Sequence, residues 1–355
     1  MKVIDLTSKA QALHVRLDPS PVYDMLAGLF VVDNWTAERG FEVDRRWVQQ
    51  ARAALGPALR PDLRLFVRER GFIWGIASLL EDRPGSSIPD FLRFLAAMPP
   101  ADVVERMLTA PRATRAAAPL LREALRTRKD APLREFLAAY PDDYDATRVR
   151  ELATSPPSEI QQRLLRLLRA FYGKVYQHEE DRIMTLLRAD AEAKTAMLAV
   201  LQPEEVIERA TGGLAFSPDA EIAQVVLAPS YFFRPYNIIS EYPGVRLFVY
   251  PVALGPGEGT SPTHELARLF KALGDETRLR ILQMLAEREM YVQEIANRLG
   301  VTHVTAIHHL AQLRAAQLVR GVDRGNLKYY QLRRESVHDA GARLAEFVAA
   351  KQGGR

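Results

Sequence analysis

The chain contains no cysteine. That excludes disulfides, thiolate metal sites and thiol-based redox sensing. No apolar run approaches the roughly 18 residues that a membrane span needs, so no membrane partner is expected. The first residues lack the charged, apolar and small-residue succession of a secretory signal, and a cytoplasmic location is expected. Before residue 260 there is no glycine-rich phosphate loop, no Gly-x-Ser-x-Gly elbow and no zinc-ligand spacing. Nothing there supports an enzyme.

What the chain does have is helix after helix. At 355 residues, two or more domains are expected, and 48% apolar with 26% charged residues suits a globular fold. Ser20 caps a helix that Pro21 opens and that runs to Val32. From Ile88 to Tyr140, helical runs alternate with stops at Pro99-Pro100, Pro111, Pro119 and Pro132. Pro61–Leu80 reads as buried, with Gly71 and Gly75 allowing close approach or a kink. The longest helical segment is Ser158–Arg188, striped by Ile160, Leu164, Leu168 and Phe171, with Gly173 a point of bending. His178-Glu179-Glu180-Asp181 looks metal-like, but consecutive helical residues point in different directions, so it reads as a solvated face.

After Gly212-Gly213 the text turns β-rich, over Leu214–Ser217, Ile222–Ala228 and Val245–Pro251. Between these lies an aromatic string. Its Tyr231, Phe233, Arg234 and Tyr236 either line a ligand pocket or form core and turn, and both readings stay open. Residues 255–262 are a Gly/Pro/Ser-rich linker. The expected layout is therefore a mainly α domain over residues 1–254 with a short β segment, the linker, and a C-terminal domain over residues 263–355. Charge divides at the same place. Ser261–Arg355 holds 15 Lys+Arg against 10 Asp+Glu, a net +5, whereas the preceding residues hold 33 against 34.

The C-terminal stretch is the most legible. It reads as a helix His264–Leu273 ended by a left-handed Gly274, a helix Glu276–Ala286 capped by Asp275, and a helix-turn-helix over Gln293–Ala316. Gly300 ends the first helix of that pair and Thr302 caps the second. Ile295, Leu299, Ala306, Leu310 and Leu313 recur at helical spacing and can share one core. The period then switches to two, and Arg324-Gly325-Asn326 turns a hairpin between Leu318–Asp323 and Leu327–Leu332. Ser336–Lys351 follows as one amphipathic helix, with Val337, Gly341, Leu344 and Val348 at heptad-like spacing.

The run Leu269–Leu282, with Lys271-Ala272-Leu273-Gly274-Asp275-Glu276-Thr277-Arg278 at its centre, resembles the opening of the ArsR/SmtB winged-helix repressors. Glu294-Ile295-Ala296 to Leu299-Gly300-Val301, His309-Leu310 to Leu318-Val319, and the wing Arg324–Leu332 extend the resemblance over about 70 residues. The resemblance implies a homodimer on double-stranded DNA, usually a repressor, released by an inducer, with the first and last helices of the module forming the dimer seam. Gln317 stands where the family usually has Gly; at positive φ this costs about 1 kcal/mol. The family's thiolate metal site would fall near Tyr291-Val292, where there is no Cys, and its His/Asp site needs a His well downstream of His338, which is absent. No metal and no cofactor are expected.

A helix fits the major groove, and its N-terminal side chains reach base edges. With Ala306, Leu310 and Leu313 inward, His303, Val304, Ile307 and His308 face out, and by the family pattern they are the reading positions. Val304 and Ile307 suit thymine methyl groups, while His303 and His308 suit bases or phosphates. Gln293, Thr302, Thr305 and Arg314 are candidate phosphate contacts, and Arg320, Arg324 and Lys328 on the ribbon are candidates for the backbone or minor groove. Arg278 instead suits a pairing with Asp275.

The expected function is a sequence-specific transcriptional regulator, a repressor, whose N-terminal domain senses a small-molecule effector or stiffens the dimer, and which is not an enzyme. An N-terminal enzyme fused to a DNA module and an architectural protein without inducer stay open as alternatives.

Overall fold

A computed structural model describes residues 13–36, 41–68, 72–81, 83–109, 112–127, 129–140, 145–216, 222–252, 262–324 and 327–349. The fold is mainly α, as expected. Among the described residues no helix is long and apolar enough to cross a membrane. The chain packs as two compact units. One comprises Arg16–Ala191 and Gln224–Tyr250; the other comprises Met1–Val15, Glu192–Ala223 and Pro251–Arg355. The linker expected at residues 255–262 falls almost wholly outside the described residues, and Pro262 already opens a helix. The stretch Glu192–Ala223, read from sequence as part of the N-terminal domain, groups with the C-terminal unit.

In the larger unit the helix Pro21–Asn34 is buried along nearly its whole length, and Ser20 caps it through a hydrogen bond from the Val22 N–H. Its Asp24 is fully buried yet well satisfied. One carboxylate oxygen accepts from the Ser230 hydroxyl at 2.6 Å and from the backbone N–H groups of Tyr231 and Phe232, while the other accepts from the Tyr176 hydroxyl. Burial pushes the Asp24 carboxyl up, and these four bonds oppose that shift. A four-stranded sheet runs in the order β1 (His14–Leu17), β3 (Gln224–Ser230), β5 (Val245–Pro251), β4 (Ile238–Tyr242); β2 (Leu214–Ala215) belongs to the second sheet. β4 and β5 form an antiparallel hairpin in the register Ile238↔Val249 to Tyr242↔Val245.

The long helix expected at Ser158–Arg188 is interrupted. An α-helix Pro157–Phe171 passes into a π-turn at Tyr172–Tyr176, and a new helix covers Glu180–Leu198. The Gln177 N–H reaches back to the Tyr172 carbonyl, five residues away. The extra residue in the turn brings both Val175 and Tyr176 to the buried side, where Tyr176 meets Asp24. The sequence period could not report this, because a single inserted residue keeps the apolar stripe intact on both sides.

The second unit contains helices Pro262–Leu273, Glu276–Glu287, Val292–Leu299 and His303–Ala315, then β7 (Val319–Arg324) and β8 (Leu327–Leu332). One core joins Leu269, Ile281, Leu285, Ile295, Ala306, Leu310, Leu313 and Leu318. β7 and β8 pair antiparallel from Val319↔Leu332 to Arg324↔Leu327, and β6 (Met290–Tyr291) adds to β8. Gly325 and Asn326 lie outside the described residues. Two expectations need correction. Gly274 has no positive φ; its N–H simply continues the helix to the Phe270 carbonyl at 2.8 Å. The last helix is two, Arg334–His338 and Ala340–Ala349, parted at Asp339.

Gly75 is the close-approach position in the larger unit. A Cβ there would sit 2.3 Å from the Arg106 carbonyl oxygen and 2.6 Å from the Met107 Cα. Backbone cannot move aside as a flexible side chain can. Gly75→Ala is expected to destabilise the protein by about 1–3 kcal/mol, read as a lower urea midpoint with an unchanged slope.

Candidate nucleic-acid interface

The geometry starts at Gly300, which ends Val292–Leu299 in the left-handed conformation (φ 67°). That turn brings Thr302 to the cap of the next helix, where its hydroxyl accepts from the Thr305 N–H at 3.1 Å. Ala306, Leu310 and Leu313 are fully buried, so the seat of His303–Ala315 is fixed by three apolar residues. His303 and Thr302 are exposed, and Ile307 is 37% exposed. His303 and Ile307 therefore stand one turn apart at the free N-terminal end of the helix, as a reading surface requires.

The other candidates are less uniform. Thr305 is half-buried, its hydroxyl 2.8 Å from that of Thr302. Gln293 lies inside the first turn of its helix rather than before it, and its amide donates to Asn297 at 2.9 Å. Arg314 is half-buried in the last turn of the reading helix. Val304, Arg324 and Lys328 lie on the helix and ribbon by their backbone, but their side chains are outside the described atoms. His308 does not stand with His303. It is half-buried and shares a 2.8 Å hydrogen bond with the Gln312 amide, whose oxygen accepts from Arg278.

Arg278 was expected to meet Asp275, and it does far more. Its guanidinium donates to the carbonyls of Ala272 at 2.8 Å and Lys271 at 2.6 Å, while the Asp275 carboxylate lies 3.7 Å away. Asp275 also caps Glu276–Glu287 through the Arg278 N–H at 2.9 Å. A chain of polar contacts thus runs from the end of Pro262–Leu273 through Arg278 and Gln312 to His308 on the reading helix. His309 lies beside it, 3.7 Å from Asp275. Burial holds the His309 ring below the usual imidazole range, Asp275 opposing and Arg278 adding to the shift.

The wing carries a second surprise. Its sheet runs β2-β7-β8-β6, with β2 pairing parallel to β7 in the register Leu214↔Gly321 and Ala215↔Val322. Gln317 has φ 60°, the only positive-φ non-glycine among the described residues. Its amide donates to the Gly212 carbonyl at 3.1 Å, and its oxygen accepts from Arg333 at 2.6 Å. Arg320, a candidate DNA contact, donates to Gln331 at 2.8 Å and lies 3.6 Å from Glu208, which also stands 3.7 Å from Arg333. Sequence reasoning missed Glu208, Gln312 and Arg333. The one available signal was Gln317 itself, a side chain at a position that calls for glycine.

The aromatic string lies in the larger unit. Phe233 packs edge-on against Phe30 and Phe41 at 5.6 and 5.5 Å, and Tyr236 meets Phe41 at 5.3 Å. The buried Arg234 guanidinium sits 4.1 Å over the Tyr231 ring and 3.6 Å from Glu42. These contacts are those of packed core and turn. Among the described residues no three His, Asp or Glu side chains gather as metal ligands.

A helix pair with an exposed, capped second helix and a flanking β-ribbon defines a winged helix-turn-helix DNA-binding module. Residues 275–320 match the family described as bacterial regulatory protein, arsR family. The chain is 40% identical over 72 residues to the HTH-type transcriptional regulator KmtR of Mycobacterium tuberculosis, a match covering 20% of this chain and 55% of KmtR. It is 40% identical over 67 residues to the uncharacterized HTH-type transcriptional regulator MJ1325 of Methanocaldococcus jannaschii, covering 19% of this chain and 75% of that protein. The transcriptional repressor SdpR of Bacillus subtilis is 29% identical over 80 residues, 22% of this chain and 89% of SdpR. The chain thus spans only about half the length of KmtR. It belongs to the ArsR family of regulatory proteins through this module.

Two outcomes follow from the polar chain. Arg278→Ala leaves the Lys271 and Ala272 carbonyls and Gln312 without their charged donor; a loss of about 2–3 kcal/mol is expected in chemical denaturation. Because half-burial disfavours the charged His309 ring, the unfolded chain takes up its proton first, and stability falls as pH drops below the free imidazole value of 6.5. His309→Gln is expected to flatten the stability profile between pH 7 and 5.

Proposed function

We propose that the whole chain is a homodimeric, sequence-specific transcriptional regulator that acts as a repressor, with an effector-sensing unit formed by Arg16–Ala191 and Gln224–Tyr250. The observation that carries the reading is the exposed His303 and Ile307 above the buried Ala306, Leu310 and Leu313 on a capped helix. His303 supplies a hydrogen bond to a base or phosphate and Ile307 an apolar contact for a thymine methyl group. Thr302, Thr305, Gln293 and Arg314 track phosphates beside it, joined by Arg320, Arg324 and Lys328 from the wing. Repression rests on the family and on the repressor name of SdpR.

Dimerisation is supported by apolar side chains left open on two packed helices. Pro262–Leu273 packs on Ala340–Ala349, and Phe270, Leu344 and Val348 are 36%, 40% and 57% exposed. A second copy covers such a seam.

Sensing requires that the effector bind the DNA-competent and DNA-incompetent states with different affinities. The segment Pro203–Ala215 is the natural lever within the DNA-binding unit, because it supplies both β2 and Glu208 to the wing. Movement of this segment alters the wing's sheet and the charge facing Arg320.

Footprinting with the full chain tests the reading helix. The variant His303→Ala/Ile307→Ala is expected to lose sequence preference while keeping the wild-type melting temperature; an unchanged footprint refutes the assignment. For the seam, Leu344→Asp with Val348→Asp is expected to give a monomer in light scattering and to weaken operator binding at least tenfold. Glu208→Gln is expected to strengthen DNA binding at low salt, because it removes a carboxylate that competes with phosphate for Arg320.

A further inference from the structure

The larger unit contains a cavity of about 380 Å³, bounded by the helices Pro100–Leu108 and Ala118–Thr127 and by the β4–β5 hairpin. That volume is in the usual range for small-molecule sites. Three arginines line it: Arg106, Arg115 and Arg122. Two are held by protein groups. Arg122 donates to Glu105 at 2.9 Å, which cancels that carboxylate, and Arg115 donates to the Glu241 carbonyl. The Glu241 carboxylate is itself engaged by Arg246 at 2.6 Å. Arg106 makes no hydrogen bond or ion pair with any described residue, although it lines the same space.

The hydroxyl groups around the cavity decide what polarity of ligand it accepts. Ser78 donates to the Gly75 carbonyl at 2.8 Å, Thr109 to the Glu105 carbonyl at 2.8 Å, and Tyr242 to the Trp74 carbonyl at 2.9 Å. All three protons are therefore directed into the protein. Of the other polar lining groups, Asp102 is an acceptor, and Arg106 supplies guanidinium donors that no described residue takes. Burial drives the Tyr242 phenol upward; a hydrogen bond with Ser240 opposes the shift most, the Glu81 charge adds to it, and Arg115 and Arg106 oppose it.

We propose that this cavity binds a small anion that also carries hydroxyl groups, a phosphate ester or a hydroxy acid. Its anionic group is bound by Arg106, with Arg115 adding positive charge beside it, and its hydroxyls donate to Asp102. Gly75 fixes the position of Arg106, since the helix bearing Arg106 packs directly on the glycine backbone. The site gives the sensing unit its ligand class, and only its regulatory role rests on the reading above; binding does not.

Titration calorimetry on the full chain tests it with glucose 6-phosphate, citrate and uncharged glucose as probes. Saturable binding of one of the two anions, with none of glucose, is the expected result, and which anion binds separates the phosphate ester from the hydroxy acid. Arg106→Ala is expected to weaken binding at least tenfold, with Arg106→Lys recovering part of it. Arg106 is exposed and pairs with no described residue, so the unliganded melting temperature of Arg106→Ala should match wild type. No binding of either anion, or equal binding to Arg106→Ala, overturns the site. Operator affinity measured with and without the bound anion is a separate readout. An unchanged value leaves the site standing and removes its role in regulation.

Discussion

One buried guanidinium joins three helices of the C-terminal module. Arg278 binds the last carbonyls of Pro262–Leu273, stands beside the Asp275 cap and donates to Gln312 on the reading helix. Three helices are thereby joined through a single planar group whose donors are fixed in angle. Apolar packing turns Ala306, Leu310 and Leu313 into the core, and the polar series acts on the adjoining face of the same helix. The Arg278–Gln312–His308 series ties that face to the helices Pro262–Leu273 and Glu276–Glu287. It also divides the histidines by role: His303 is open to solvent, His308 is half committed to the fold, and His309 is half-buried with its imidazole held below the usual range.

The wing is not the isolated hairpin that the module requires at minimum. β2 and Glu208 come from the segment just before the larger unit's second stretch of chain, and they extend the wing's sheet and oppose its arginines. This arrangement explains the departure at Gln317. A glycine there would carry no steric penalty, but Gln317 offsets the cost of φ 60° with two hydrogen bonds, one to Gly212 and one from Arg333. The side chain that looked anomalous is the clasp between the wing and the added strand.

In the larger unit, polar groups rather than apolar stripes mark the decisive positions. Asp24 gathers Ser230, Tyr231, Phe232 and Tyr176 from two distant parts of the chain. A carboxyl so deeply buried needs hydrogen-bond donors on both oxygens, and the π-turn at Tyr172–Tyr176 delivers the donor to the second. The aromatic string beside it fills space against Phe30, Phe41 and Trp47. The arginine-lined cavity lies among residues that carry no recognisable motif.

The sequence by itself determined the parts whose signals are local. The Asp275 and Thr302 caps, the left-handed Gly300, the helical period of Ala306, Leu310 and Leu313, and the ribbon's period of two all depend on residues within a few positions of one another. These settled the module, its family and the exposure of His303 and Ile307. Only the tertiary structure decided that Gly274 follows its helix without a left-handed angle, that Tyr176 reaches Asp24, that Pro203–Ala215 joins the wing, and that Arg106, Arg115 and Arg122 line one cavity. Each of these links residues far apart along the chain, or turns on a backbone angle that a neighbour imposes. No periodicity encodes such pairings, because it is packing between elements that brings the partners within reach.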